Sequence, residues 1–266
     1  MNRLFRFMLF GIVIVAALSG CRPDPLADVP EQFEYFIPPG ATAADARMIV
    51  ALMGGNLDDC RKALKEGANM RITMKDGKTP LAYAVQANRR EFVPLFLGQM
   101  TFEDVKDSFV SAARKGDDRM MQILLESHLK GRQDVLQEAL MEMAGSSNLQ
   151  STKEAPTYKD DDGRRLTDKA KKALDLLLKN GAQINKGSIY GRTPLMEAAE
   201  TNRAEMAYEL LLRGADWKAK TDTGKTALDI ARAGGYGDSL YGSIIPLLEA
   251  WQSGKHPKAR GVKIAK

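Results

Sequence analysis

Reactive side chains are scarce in this sequence. Its 266 residues hold two cysteines, Cys21 and Cys60, and two histidines, His128 and His256. A thiol can be acylated, oxidised or used as a nucleophile, and an imidazole can move a proton or hold a metal. The surroundings of three of these four residues support none of those uses. Cys60 lies in a helix-like run where a small buried hydrophobe belongs, and with Cys21 otherwise employed it has no disulfide partner. His128 falls at a helix end and His256 in a basic tail. The chain contains no His-Glu-x-x-His pair, no Gly-Lys-Ser/Thr phosphate loop and no Gly-x-Ser-x-Gly elbow. Asp160, Asp161, Asp162 and Gly163 have the look of a calcium loop. The register puts Tyr158 first and Lys169 where a bidentate glutamate is needed, so the run reads as a polar loop. The expectation is a protein without catalytic residues, metal or cofactor.

Cys21 is the exception. Arg3 and Arg6 precede the apolar run from Phe7 to Leu18, which ends in Leu18-Ser19-Gly20-Cys21. The run is shorter than the roughly 20 apolar residues of a spanning helix. A positive start, a short apolar stretch and small residues describe a secretory signal over 1–20. The ending resembles the lipobox of bacterial lipoproteins. That resemblance implies cleavage before Cys21 and acylation of its thiol and new amino terminus. With Arg22 rather than Asp next to it, it implies an outer-membrane anchor, the body facing the periplasm. Two or more acyl chains hold a protein stably at a membrane. Residues 21–43 then read as an extended spacer kept from helix by Pro23, Pro25, Pro30, Pro38 and Pro39. Its patch Phe33, Tyr35, Phe36, Ile37 either docks on the body or stays with the tether.

The formal charge of +5 comes from the ends. Residues 22–250 hold 32 basic against 34 acidic side chains, while the tail 254–266 carries Lys255, Lys258, Arg260, Lys263 and Lys266 and no acid. Such a body is not a nucleic-acid binder.

The elements behind these side chains repeat. DGKTPLAYAV (76–85), YGRTPLMEAA (190–199) and TGKTALDIAR (223–232) align, and Thr193 and Thr226 are 33 residues apart. Second halves recur as CRKALKEGAN (60–69), ALDLLLKNGAQIN (173–185) and AYELLLRGAD (207–216). Gly77, Gly191 and Gly224 suit a tight turn, Thr79 and Thr193 suit N-caps, and Pro80 and Pro194 suit the first helical position. Gly67, Gly181 and Gly214 suit the stop of a second helix. One such unit cannot bury its own apolar face, so neighbours must stack.

The pattern resembles the ankyrin repeat. The resemblance implies an all-α solenoid of about six helix-turn-helix units over 44–253. They fall near 44–75, at 76–100 and at 107–127. The fourth pairs a first helix at 134–144 with a second at 168–180, across an insertion of about 145–167. The last two lie at 188–220 and 221–253, with extra residues near GYGDSLYGS. Ala82, Met196 and Asp229 stand where the family has His, which implies less rigid turns. It also implies a protein partner on the turn tips, at Lys75, Asp76, Ile189, Tyr190, Lys220 and Asp222. First helices would add Tyr83, Gln86, Ser111, Arg114, Glu197 and Glu200. Trp217 serves either as an anchor or as packing under the next turn. The expectation is thus a monomeric, membrane-tethered binding scaffold, in its sharper form an immunity protein inhibiting a periplasmic toxin or enzyme. A structural adaptor, or a lipid-binding or enzymatic protein using the insertion and groove, is the alternative.

Overall fold

The computed structural model describes residues 29–147, 149, 151–153, 164–235 and 244–254. Cys21 with its signal run, Arg22, Pro23 and Pro25, the Asp160–Gly163 run, most of the GYGDSLYGS stretch and the tail from Lys255 with His256 lie outside the described residues. The chain divides into two compact units, Met1–Met100 and Thr101–Lys266.

In the first unit, α1 is one turn, Glu31–Glu34, followed by α2 (Ala43–Gly54), α3 (Leu57–Lys65), α4 (Pro80–Gln86) and α5 (Val93–Leu97). Helix α2 packs on α3 and α4, and α4 on α5. Residues 29–43 do not form the extended spacer expected of them. Pro30 precedes α1, where its missing N–H costs nothing. Ile37 is only 2% exposed, and the Lys75 N–H donates to Phe36 O at 3.1 Å. The apolar patch is therefore split. Ile37 joins the core, whereas Tyr35, edge-on to the Phe36 ring, stays out.

The second unit holds α6 (Phe102–Arg114), α7 (Asp118–Leu124) running into a π-helical turn Leu125–Leu129, and α8 (Gln133–Ala144). After strands β1 (Ser151–Lys153) and β2 (Arg164–Leu166) come α9 (Asp168–Lys179), α10 (Pro194–Glu200), α11 (Ala204–Leu212), α12 (Ala227–Ala233) and α13 (Ile244–Gln252). First helices stack in a row, α6 on α8, α8 on α10 and α10 on α12. Second helices pack behind, α7 on α9 and α11 on α13. The close row is possible because Ala112, Ala113, Ala139, Ala198, Ala199 and Ala231 are small and fully buried. Between the rows lie Phe109, Met121, Leu136, Leu140, Leu174, Leu177, Leu195, Leu210 and Leu248. Each contributes roughly 1.5–3 kcal/mol by leaving water.

The fold is an all-helical repeat array. Its insertion adds a short antiparallel pair, Ser151 opposite Leu166 and Lys153 opposite Arg164. Repeat three starts earlier than expected. Thr101 caps α6, and its N–H and hydroxyl both donate to the Asp104 carboxylate. The same Thr-x-x-Asp box opens α2 at Thr42 and Asp45 and α12 at Thr226 and Asp229. In repeat six Asp229 stands where the family has His, and the bonds from Thr226 hold its carboxyl below the usual range.

The second helices end alike. Gly67, Gly181 and Gly214 sit at φ 93°, 110° and 91°, in the left-handed region where a side chain is strained. After them the N–H groups of Ala68, Ala182 and Ala215 reach back to Ala63, Leu177 and Leu210 at 3.0 Å each, closing Schellman motifs over a buried methyl.

Candidate protein-binding surface

Each repeat that keeps Gly-x-Thr builds a turn finger before its first helix. In the second unit, Ser188 N–H donates to Arg192 O at 2.8 Å and Gly191 N–H to Ser188 O at 2.9 Å. Thr221 and Lys225, and Thr221 and Gly224, repeat this geometry at 2.9 and 2.8 Å. The two fingers touch through Asp222 N–H and Tyr190 O, at 3.3 Å. Gly191, at φ 71°, allows that approach, because a Cβ there would stand 2.8 Å from Asp222 Oδ1. Ile189 and Tyr190 project from the first finger, 85% and 66% exposed. Lys220 and Asp222 are exposed on the second.

The finger of the first unit, Met74 to Lys78, has the same backbone bonds but a different surface. Lys75 is exposed yet braced, since its Nζ reaches Glu34 O at 3.4 Å and its N–H holds Phe36 O. Asp76 is turned onto its own finger, taking the Lys78 N–H at 3.2 Å and ammonium at 2.7 Å. These two tip residues are engaged by their own chain. On α4, Tyr83 is half-buried and Gln86 exposed.

The first-helix candidates of the second unit are tied down as well. Arg114 holds the Glu142 carboxylate through Nε at 2.9 Å and Nη2 at 2.7 Å, joining α6 to α8. Glu197 and Glu200 share Arg192, whose Nε and Nη2 reach them at 2.9 and 2.7 Å. The two carboxylates keep the guanidinium firmly charged against the desolvation of its half-buried site. Ser111 is half-buried. Trp217 is half-buried too, with Lys218 Nζ 5.0 Å from its ring centre. Glu142 and Arg192 are the surface residues that sequence reasoning missed. Arg192 could have been found from its place just before Thr-Pro-Leu; Glu142 carries no local signal.

Side chains also pin one repeat to the next. Gln137 accepts the Gln183 N–H at 2.9 Å, and Asn185 accepts the Asp216 N–H at 2.8 Å. The fingers therefore stand on a fixed base.

The reactive candidates do not gather near this surface. Cys60 is fully buried in α3, and burial pushes its thiol up to about 11, far from a reactive thiolate. His128 is exposed in the π-helical turn. Among the described residues no group of three or more His, Cys, Asp or Glu could hold a metal.

Comparisons with known proteins agree with this geometry. Residues 177–231 match the family described as ankyrin repeats (many copies). A search of curated proteins returned no match. The fold is similar to the crystal structure of the human ASB11 ankyrin repeat domain, with 21% identity and a TM-score of 0.52, over 80% of this chain and 84% of that one. With paired helices, turn fingers and Gly-Ala stops recurring in register, the chain carries an all-helical ankyrin-repeat domain.

Proposed function

We propose that the protein is a non-catalytic scaffold that binds a protein partner through the fingers of its second unit. The observation that carries this reading is the Ile189–Tyr190 tip. Two large apolar side chains stand in water on a backbone fixed by five-residue turn bonds. Exposed aromatic anchors on rigid supports are where interface energy concentrates. Ankyrin repeats are in general protein-binding modules, and Ile189 and Tyr190 are among the few large apolar side chains left exposed among the described residues. In the fuller form of the proposal, Cys21 is acylated and moors the body on the periplasmic side of a bacterial outer membrane. The partner there is an envelope-directed enzyme or toxin that the scaffold inhibits. The lipobox-like Leu18-Ser19-Gly20-Cys21 supports the anchor.

Affinity capture tests the scaffold. The chain from residue 22 should retain one stoichiometric protein from envelope extract, and Tyr190→Ala should retain at least about tenfold less. Recovery of nothing, or equal recovery by the variant, overturns the reading. The anchor has its own test, since Cys21→Ser should lose incorporation of labelled palmitate. Membrane retention of a cleanly processed Cys21→Ser protein counts against it.

A further inference from the structure

The Ile189–Tyr190 finger has surroundings that define what it fits, and this deepens the scaffold reading on which it rests. Lys186 stands three residues before Ile189, and Lys220 and Lys225 flank Asp222, whose N–H touches Tyr190 O. All three lysines are exposed, and none forms an ion pair among the described residues. Arg192, at the base of the finger, is already neutralised by Glu197 and Glu200. The tip is therefore an apolar knob with exposed lysines close to it in sequence on both fingers, Asp222 beside it and Lys220 also acting on the Asp229 carboxylate.

We propose that the Ile189–Tyr190 tip seats in an apolar pocket rimmed by carboxylates on the protein partner. Three features select that occupant. The knob is narrow, because the adjacent tip carries Asp222 and Thr223 rather than apolar groups. A lipid surface would bury that carboxylate beside the knob, whereas a pocket takes one finger and leaves the next in water. The knob is also preformed. Tyr190 N–H donates to Ser188 Oγ at 3.3 Å, and a Cβ on Gly187 would stand 2.8 Å from the Gly191 backbone, so the turn is closely packed. Little ordering entropy remains to be lost on docking. Finally, exposed lysines outside close internal ion pairs are matched by acidic groups across an interface, which speed encounter and set the orientation.

Site-specific photo-crosslinking tests this on the full chain in the membranes of the cells that express it. A benzophenone amino acid replaces Tyr190, or Tyr35 of the other unit as reference, and the crosslinked peptide is mapped by mass spectrometry. The expected result is an adduct at 190 on a protein segment whose apolar residues are bordered by Asp and Glu. Its yield should drop about tenfold when Lys186, Lys220 and Lys225 are all changed to Glu, and also as salt is raised several-fold. A matching triple change to Gln keeps the test readable should the Glu variant lose its thermal transition. An adduct with lipid, an adduct on a segment without acidic residues, an unchanged yield after charge reversal, or no adduct at 190 overturns the proposal. If affinity capture still retains its partner under those outcomes, the acidic pocket is wrong and the scaffold stands. If capture fails too, both fall.

Discussion

The Thr193 N–H donates to the Met196 sulfur at 3.4 Å, and the buried Thr193 hydroxyl has no hydrogen-bond partner among the described residues. One repeat later Asp229 takes both the N–H and the hydroxyl of Thr226, at 2.9 and 2.7 Å. The same motif position is thus a weak thioether contact in one repeat and a charge-assisted box in the next. Opposite outcomes follow for one substitution. Thr226→Val should lose about 1 kcal/mol, as a deleted cap does. Thr193→Val should be neutral or stabilising by up to about 1 kcal/mol, because it removes an unmet polar group from a buried site. Urea unfolding of both variants decides it, and equal losses would refute the unmet-hydroxyl account.

The three finger glycines should respond unequally to alanine. All have positive φ, which strains any side chain. Only at Gly191 would the new Cβ also meet atoms, Asp222 Oδ1 at 2.8 Å and Asp222 N at 3.1 Å, whereas Gly77 and Gly224 face open space. Gly77→Ala and Gly224→Ala should each cost about 1 kcal/mol, and Gly191→Ala about 2 kcal/mol or more. Thermal midpoints of the three variants give the ranking. In the capture experiment Gly191→Ala should also weaken retention, since it displaces Tyr190 or Asp222.

Arg213 tests how a buried charge behaves between repeats. Its Nε bonds Asp175 of α9 at 2.7 Å, and its Nη1 bonds Glu209 of α11, a carboxylate only 6% exposed. Lys171 Nζ stands 3.7 Å from the same carboxylate. Arg213→Ala leaves Glu209 only the 3.7 Å contact with Lys171 and should cost about 2 kcal/mol. Asp175→Asn removes only the exposed partner and should cost less than about 1 kcal/mol. If the two variants unfold at the same denaturant concentration, Glu209 is not dependent on Arg213.

At the surface, the Arg132 guanidinium hydrogen-bonds Asp134 at 3.0 and 2.7 Å and holds its carboxyl down to about 2, from an ordinary value of 3.8. The sign of the pH effect follows from the lowered value. The unfolded chain takes up this proton near pH 3.8 and the folded one only near 2, so the contribution is complete above the upper value and is lost as pH falls through the window to the lower. Carboxyl NMR should place Asp134 near 2, and Arg132→Gln should return it toward 3.8. In the variant the unfolding midpoint should also fall less steeply across that range. Because the pair lies in water, the stability effect is small.

The sequence was most legible where a structural demand is met within a few residues. Thr79-Pro80 and Thr193-Pro194 announce helix starts, and Gly67-Ala68, Gly181-Ala182 and Gly214-Ala215 announce stops, because capping and chain reversal are local events. The start of repeat three was missed for want of proline, although Thr101 and Asp104 carry the same box as Thr226 and Asp229. The candidate surface was less legible. Arg114 looked free until the fold brought Glu142, 28 residues away, against it. Lys75 looked like an open tip until residues 34–36 were seen to brace it. The turns without His differ by the side chain that replaces it: a carboxylate at 229 closes a box, a thioether at 196 makes one weak contact, and Ala82 supplies neither.

Where repeat four is interrupted, Ser151 faces Leu166 across a two-stranded ladder, so the chain comes back beside the point from which it departed. The ladder itself is tied to the stack, since β2 packs on α9 and α11 and Leu166 is buried. Doubling the number of residues beyond that ladder raises the closure entropy by only about 0.6 kcal/mol. This makes the site a natural socket, at which selection or an engineer can graft a foreign module without disturbing the helices on either side.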